Sequence, residues 1–314
     1  MGTLKRSFGE LPRRKLGRTD AEVSALGIGG YHLGSIKSQR EAIRIVQEAV
    51  DSGITFMDNA WEYHDGLSEI IMGKALQDRR QQVFLMTKVC THGRSRQTAM
   101  RQLHDSLKRL KTDCLDLWQV HEVIHDNDPD LHFAKAGVIE ALGQAQREGK
   151  VRYVGFTGHK DPSIHLKMLS HDFPFDTCQL PLNVLDGAFR SFEQEVLPEL
   201  SRRGIAALGM KSMGGDGGAV KKKVVTAAEA LRYAMSLPVA VTITGVDSLK
   251  VLRQNLRIAR NFEPMTEEEM QQLRERCVAA AVDGRFELYK TSKAFDGPAG
   301  RKQHGFPRPD ELAA

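Results

Sequence analysis

Eight short apolar runs alternating with helix-period segments constrain this chain more than any other feature of its sequence. The first run covers residues 25–28. A helical period over Gln39–Asp51 then leads through Ser52 and Gly53, a helix stop, into a strand ending at Asp58. A helix over 67–77 precedes the strand ending at Lys88, and one over Arg96–Leu110 precedes the strand ending at His121. The second half repeats the rhythm. Helices over 133–148, Pro162–Ser170, 189–203 (with Pro198 inside it) and Ala227–Ser236 precede strands over 151–156, 177–180, 204–208 and 240–243, and 248–259 closes the series. Eight such units predict a (β/α)8 TIM barrel over about 25–260 rather than an open sheet. A short N-terminal β-hairpin around 14–24 is expected before it. A C-terminal extension over 264–314 follows, with a helix at Glu267–Ala281 and an irregular tail from 283.

With 314 residues and 41% hydrophobic content, the whole chain fits one domain with a sizeable core. Its 45 Lys and Arg stand against 40 Asp and Glu, and a net charge of +5 spread so thinly argues against a nucleic-acid partner. Lys221-Lys222-Lys223, the one short basic cluster, reads as a solvated helix start. The four cysteines form no Cys-x-x-Cys pair, so reduced thiols in a cytoplasmic protein are expected, without disulfides or an iron–sulfur cluster. Residues 1–18 are polar and basic, unlike a secretory signal, and no apolar run is long enough to span a bilayer. The sequence specifies no oligomeric state.

Asp58, Lys88 and His121 each close an apolar strand, and Tyr63 lies in the loop after the first of these. Polar residues at strand ends are where parallel α/β folds keep their chemistry. Each has a structural alternative when taken alone: a helix cap, a loop aromatic, a solvated strand end, a core histidine. Two competing motifs fail. His121-Glu122-Val123-Ile124-His125 matches the zinc-protease pattern, but that pattern needs a helix, and Asp126-Asn127-Asp128-Pro129 follows at once, so no metal is expected. Gly27, Gly29, Gly30 and Gly34 approximate a dinucleotide-binding glycine motif, but His32 stands where its third glycine belongs.

Taken together, the four residues have a chemical logic. A phenol with a pKa of about 10 is a poor acid in neutral water, and an adjacent ammonium favours its anion. Burying that ammonium calls for a carboxylate partner. Tyr63, Lys88 and Asp58 can supply these parts, with His121 orienting a carbonyl oxygen or sharing the proton transfer. The product is a proton donor for the oxyanion that forms when a carbonyl accepts hydride.

The segment Gly53-Ile54-Thr55-Phe56-Met57-Asp58-Asn59-Ala60-Trp61-Glu62-Tyr63, with Thr87-Lys88 and Asp116-Leu117-Trp118-Gln119-Val120-His121, resembles the three signatures of the aldo-keto reductase superfamily over about 16–259. The resemblance implies hydride exchange between NADP(H), or alternatively NAD(H), and a small-molecule carbonyl or alcohol, with Tyr63 as general acid. It further implies that cofactor contacts fall at Gly30, Tyr31, Asp58, Thr157, Gly158, Gln179, Met210, Lys211, Ser212, Gly245, Gln254 and Asn255. Several of these depart from the family pattern. Thr157-Gly158 replaces Ser-Asn, with His159 available for the lost amide, and Met210 replaces a stacking tyrosine. Gly245 and Val251 replace the lysine and arginine that hold the 2′-phosphate, leaving Lys250 and Arg253 to supply charge. Tyr31, His32, Trp61, His92 and the tail aromatics Phe286, Tyr289, Phe295 and Phe306 are expected to shape the pocket, the tail lying across the mouth or as a surface strap. A cofactor-sensing binding subunit with low turnover is the alternative within the same superfamily.

Overall fold

Eight parallel strands close into a ring in the structure, a computed structural model that describes residues 9–90, 95–293, 295–297 and 302. The hairpin comes first, with β1 (Arg13–Lys15) antiparallel to β2 (Glu22–Ser24). The barrel strands are β3 (Leu26–Gly29), β4 (Phe56–Asp58), β5 (Phe84–Val89), β6 (Leu115–Val120), β7 (Val151–Thr157), β8 (Thr177–Pro181), β9 (Ala206–Met210) and β10 (Val241–Gly245). Each pairs with its sequence neighbours, and β10 closes the ring on β3. Parallel neighbours require long crossovers, which the intervening helices supply. Two of these helices start at serine caps: Ser38 accepts from Glu41 N–H ahead of Gln39–Asp51, and Ser95 accepts from Thr98 N–H ahead of Arg96–Leu110.

Side-chain parity along the strands positions the site. Phe56, Phe84, Met86, Leu117, Leu208, Val241 and Ile243 form one cluster, the barrel lumen, which Leu16 and Val23 of the hairpin plug from below. Because alternate strand residues share a face, Asp58 follows Phe56 into the lumen, Lys88 follows Met86, and His121 continues the face of Leu117. Met210 stands above Leu208 and Gly245 above Ile243 by the same count. The strand-borne candidate residues are thereby gathered at the C-terminal end of the lumen.

Four expectations need correction. The helix expected over 133–148 is two, Asp128–Phe133 and Val138–Arg147, because Ala136 sits at φ 56° between them. The helix over 189–203 is also two, Phe192–Glu195 and Leu197–Arg203. Pro198 lacks the N–H that would continue the first and suits the start of the second. The three lysines do not start a helix; Lys221 ends the four-residue helix Gly218–Lys221. The tail is not irregular throughout, since Leu288–Thr291 is helical. Among the described residues no helix is long and apolar enough to cross a membrane.

On the helix Pro162–Ser170, His165 is buried between the rings of Phe156 and Phe192, at 5.4 Å and 4.9 Å. Burial pushes its imidazole down to about 4. A folded-state pKa below the unfolded value of about 6.5 means that stability is present above that value and lost as pH falls through it toward 4. His165→Phe is therefore expected to gain about 2 kcal/mol relative to wild type between about pH 7 and about pH 5. Urea unfolding of both proteins at the two pH values checks this, and a pH-independent difference would refute it.

Candidate active site

Lys88 is the hub. Its side chain is 1% exposed; its ammonium donates to Asp58 Oδ1 and to the Asn59 carbonyl at 2.7 Å, and lies 3.5 Å from the Tyr63 hydroxyl. The Tyr63 ring meets His121 edge-on at 5.5 Å and Tyr31 edge-on at 5.3 Å. The loop carrying Tyr63 is fastened from both sides. Trp61 N–H donates to the Lys88 carbonyl at 3.1 Å, and Arg109 Nη1 donates to the Trp61 carbonyl at 2.8 Å and to buried Glu69 at 3.2 Å. All four sequence-derived candidates are thus brought together. Trp61 differs from expectation, packing beside Arg109 and Asp105 of Arg96–Leu110. His92 and Phe306 lie outside the described residues.

The electrostatics revise the expected acidity. Burial pushes the Tyr63 phenol well above its usual range, and Asp58, Glu122 and Glu62 push the same way. Burial also lowers the Lys88 ammonium, against the pull of Asp58. Lys88 spends its charge on Asp58, so the resting phenol stays protonated. It is a held donor rather than a partly ionised one.

Sequence reasoning missed the acidic neighbours. Glu62 Oε1 lies 2.8 Å from His121 Nδ1, and Cys90 Sγ donates to Glu62 Oε2 at 3.1 Å. Glu122, buried at φ 53°, accepts from Gly297 N–H at 3.0 Å. The first helix after β6 is Asp128–Phe133, so His121 and His125 share no helix and the zinc-protease geometry does not form. An acidic residue directly before Tyr63 was the signal for Glu62; Glu122 stood out only as part of the zinc-protease pattern, which gave it a different role.

The tail crosses the mouth. Lys160, just past β7, pairs with Asp296 at 2.7 Å and donates to the Ser292 carbonyl at 2.7 Å. Lys290 is fully buried against Asp186 at 2.7 Å and Glu287 at 3.0 Å, while Asn183 Nδ2 donates to the Tyr289 hydroxyl at 3.0 Å. Tyr289 and Phe295 flank the Lys211 ammonium at 5.4 Å and 5.7 Å, and burial lowers that ammonium to about 8.

The positions expected to meet the cofactor line the same rim. A Cβ on Gly30 would lie 2.7 Å from the Asp58 carbonyl, so only glycine lets the chain pass there. Thr157 is in register with Gln179, and Gly158 N–H donates to the Gln179 carbonyl at 3.3 Å. Gln179 Nε2 approaches Met210 Sδ at 3.7 Å, and Ser212 is buried beside Lys211. Gln179 Oε1, His159 Nε2 and Asn255 Oδ1 are buried with no hydrogen-bond partner, as polar atoms awaiting a ligand would be. Burial holds the His159 imidazole well below its ordinary value, with Lys211 adding to the effect. A neutral ring and an amide oxygen suit a carboxamide, which both donates and accepts. The adenosine end is more exposed. The His32 ring fills the space above Gly245 that a lysine stem would occupy, Gln254 and Lys250 are exposed, and Arg253 is committed to Glu48 at 2.6 Å and 3.0 Å.

The family model described as "Aldo/keto reductase family" matches residues 25–229, more than half of the chain. The uncharacterized oxidoreductase YqkF of Bacillus subtilis is 29% identical over 306 residues, covering 83% of this chain and 95% of that protein. The holo form of aldo-keto reductase AKR11C1 from Bacillus halodurans superposes with a TM-score of 0.73 at 25% identity, covering 88% of this chain and all of that one. An aldo/keto reductase from Klebsiella pneumoniae, solved with NADP and acetate, shares the fold with a TM-score of 0.68 at 23% identity, covering 84% and 95%. With the closed eight-stranded barrel and the matched segment together, the chain belongs to the aldo/keto reductase family of nicotinamide-dependent oxidoreductases.

Proposed function

We propose that the protein exchanges hydride between NADP(H) and a small carbonyl or alcohol substrate, with Tyr63 as the proton donor in the reducing direction. The observation that carries the reading is the Lys88 ammonium, held by Asp58 and 3.5 Å from the Tyr63 hydroxyl, at the C-terminal end of the lumen. When bound, the reduced nicotinamide supplies two electrons as hydride to the carbonyl carbon. The protein's part is to bind, orient and protonate. Tyr63 gives its proton to the substrate oxygen as charge develops there, and Lys88 then stands beside the phenolate and offsets it. His121, in edge contact with Tyr63, orients the same oxygen.

Gln179, Thr157 and His159 would hold the carboxamide end, Lys211 and Ser212 the diphosphate, and Asn255 the adenine. The tail residues Tyr289 and Phe295 would close over the site and exclude water, which strengthens each of these polar contacts. Titration with NADPH and NADH by protein fluorescence, followed by a panel of aldehydes, ketones and alcohols run in both directions, tests the reading. Cofactor-dependent change in nicotinamide absorbance is the expected result. Tight cofactor retention with no turnover on any panel member would overturn it.

A further inference from the structure

Three side chains of metal-ligating type converge beside Tyr63. One ligand atom each from Glu62, His121 and Glu122 lies within 4.8 Å of the other two. Consecutive strand residues face opposite ways, so His121 and Glu122 meet only because they stand past the end of β6, where Glu122 at φ 53° breaks the alternation. Both carboxylates face one spot under the tail: a Cβ on Gly297 would lie 2.8 Å from Glu122 Oε2 and 3.2 Å from both Glu62 oxygens. The imidazole supplies an independent sign. The His121 side chain is 8% exposed, and its Nδ1 makes no hydrogen bond although Glu62 Oε1 is 2.8 Å away. The oxygen therefore stands to one side of the axis along which the ring nitrogen bonds. A metal ion about 2.1 Å from each atom would sit on that axis and hold the oxygen at a coordination angle.

We propose that Glu62, His121 and Glu122 form a binding site for a divalent transition-metal ion of the zinc type, with His121 Nδ1 and one oxygen of each carboxylate as ligands. Zinc takes nitrogen and carboxylate oxygen in one tetrahedral shell, and three protein ligands leave its fourth position for water. The edge of such a shell is about 3.4 Å, so the carboxylates rotate inward to close the set. Magnesium and calcium, which take oxygen ligands, are poorly served by an imidazole. A carboxylate accepts at both oxygens, so Glu62 can keep the Cys90 thiol and Glu122 the Gly297 N–H while each holds the metal. The ion takes the Nδ1 lone pair and leaves the ring hydrogen on Nε2, where it can still donate to a substrate oxygen. Of the His-Glu-x-x-His run only the first two residues take part, and Glu122 serves as a ligand rather than as a base.

Zinc titration of the chelator-treated full-length protein by calorimetry tests the site. It stands apart from the reductase reading, since a protein that turns over no substrate can still bind the ion. One zinc ion per chain is expected, with no comparable binding of magnesium. Glu62→Gln, Glu122→Gln and His121→Asn, all conservative in shape, should each weaken binding by at least about tenfold, since losing even an outer partner of a ligand costs that much. X-ray absorption at the zinc edge of the wild type covers the case in which a variant fails to fold. It should show only nitrogen and oxygen neighbours at about 2.0–2.2 Å, one of them an imidazole. A sulfur neighbour at about 2.3 Å, a second imidazole, or unchanged zinc affinity in any folded variant of the three would assign the metal to other residues and overturn the proposal. The absence of a stoichiometric zinc site in the wild type overturns it equally.

Discussion

Replacing Tyr63 with phenylalanine is expected to lower kcat by roughly a hundred- to ten-thousand-fold, the range lost when a positioned general acid is removed. The ring itself is kept, so its edge contacts to Tyr31 and His121 at 5.3 Å and 5.5 Å survive and the fold should be unaffected. Only the hydroxyl disappears, and with it the one proton donor beside the Lys88 ammonium. Cofactor affinity should therefore stay at the wild-type value, separating loss of chemistry from loss of binding. The raised phenol pKa strengthens the case. A group held protonated by burial and by Asp58, Glu122 and Glu62 cannot act as a resting base, but it is ready to give its proton once charge appears on a substrate oxygen. Steady-state kinetics with a cofactor titration decide the matter, and a variant retaining more than a tenth of wild-type kcat would remove Tyr63 from the mechanism.

The second large effect concerns stability. Lys290→Met should cost about 3–5 kcal/mol of the docked tail's stability, because it strips the cation from a buried cluster and leaves Asp186 and Glu287 facing each other. Burial pushes the Asp186 carboxyl up to about 6 even with Lys290 present. Removing the ammonium makes its ionised form costlier still. The tail has a cheaper escape than global unfolding, namely to lift off the mouth. Limited proteolysis in the 283–293 segment should therefore accelerate, with a smaller drop in the urea midpoint. Adding Asp186→Asn should restore part of the protection, since the second change removes the charge that the first left unpaired. A Lys290→Met protein as protease-resistant as wild type would show that the cluster does not hold the tail.

The sequence exposed the barrel because the strands are apolar runs and several helices, such as those after Ser38, Ser95, Asp161 and Thr226, carry their own caps, both local signals. Asp58, Lys88 and His121 were legible for the same reason, since a charged side chain closing an apolar run has nowhere to be but the rim. Tyr63 was found in the loop after Asp58, as the phenol that the ammonium could serve and through the resemblance to the reductase signatures. Glu62 escaped because a thiol past the end of β5 and a ring past the end of β6 give it meaning, and no periodicity encodes that meeting. Lys290 and Glu287 look like solvated tail residues, and their partner Asp186 lies about a hundred positions away. The split at 134–137 was hidden because Ala136 gives no warning of its positive φ. Arg253 could not be assigned from its helix alone, since Glu48 on another helix takes its charge.

The tail's place over the mouth also orders events during synthesis. The ring closes when β10, ending at Gly245, pairs with β3, whereas the roof over the pocket is made by Lys290 and the residues up to Gly297. About 45 residues separate the two, a gap of roughly 2–9 seconds at ribosomal rates of about 5–20 residues per second. Through that interval the nascent barrel is expected to hold Lys88 against Asp58 but to stand unroofed, with Asp186 hydrated. The polypeptide thus assembles the Lys88 cluster before it finishes its shelter.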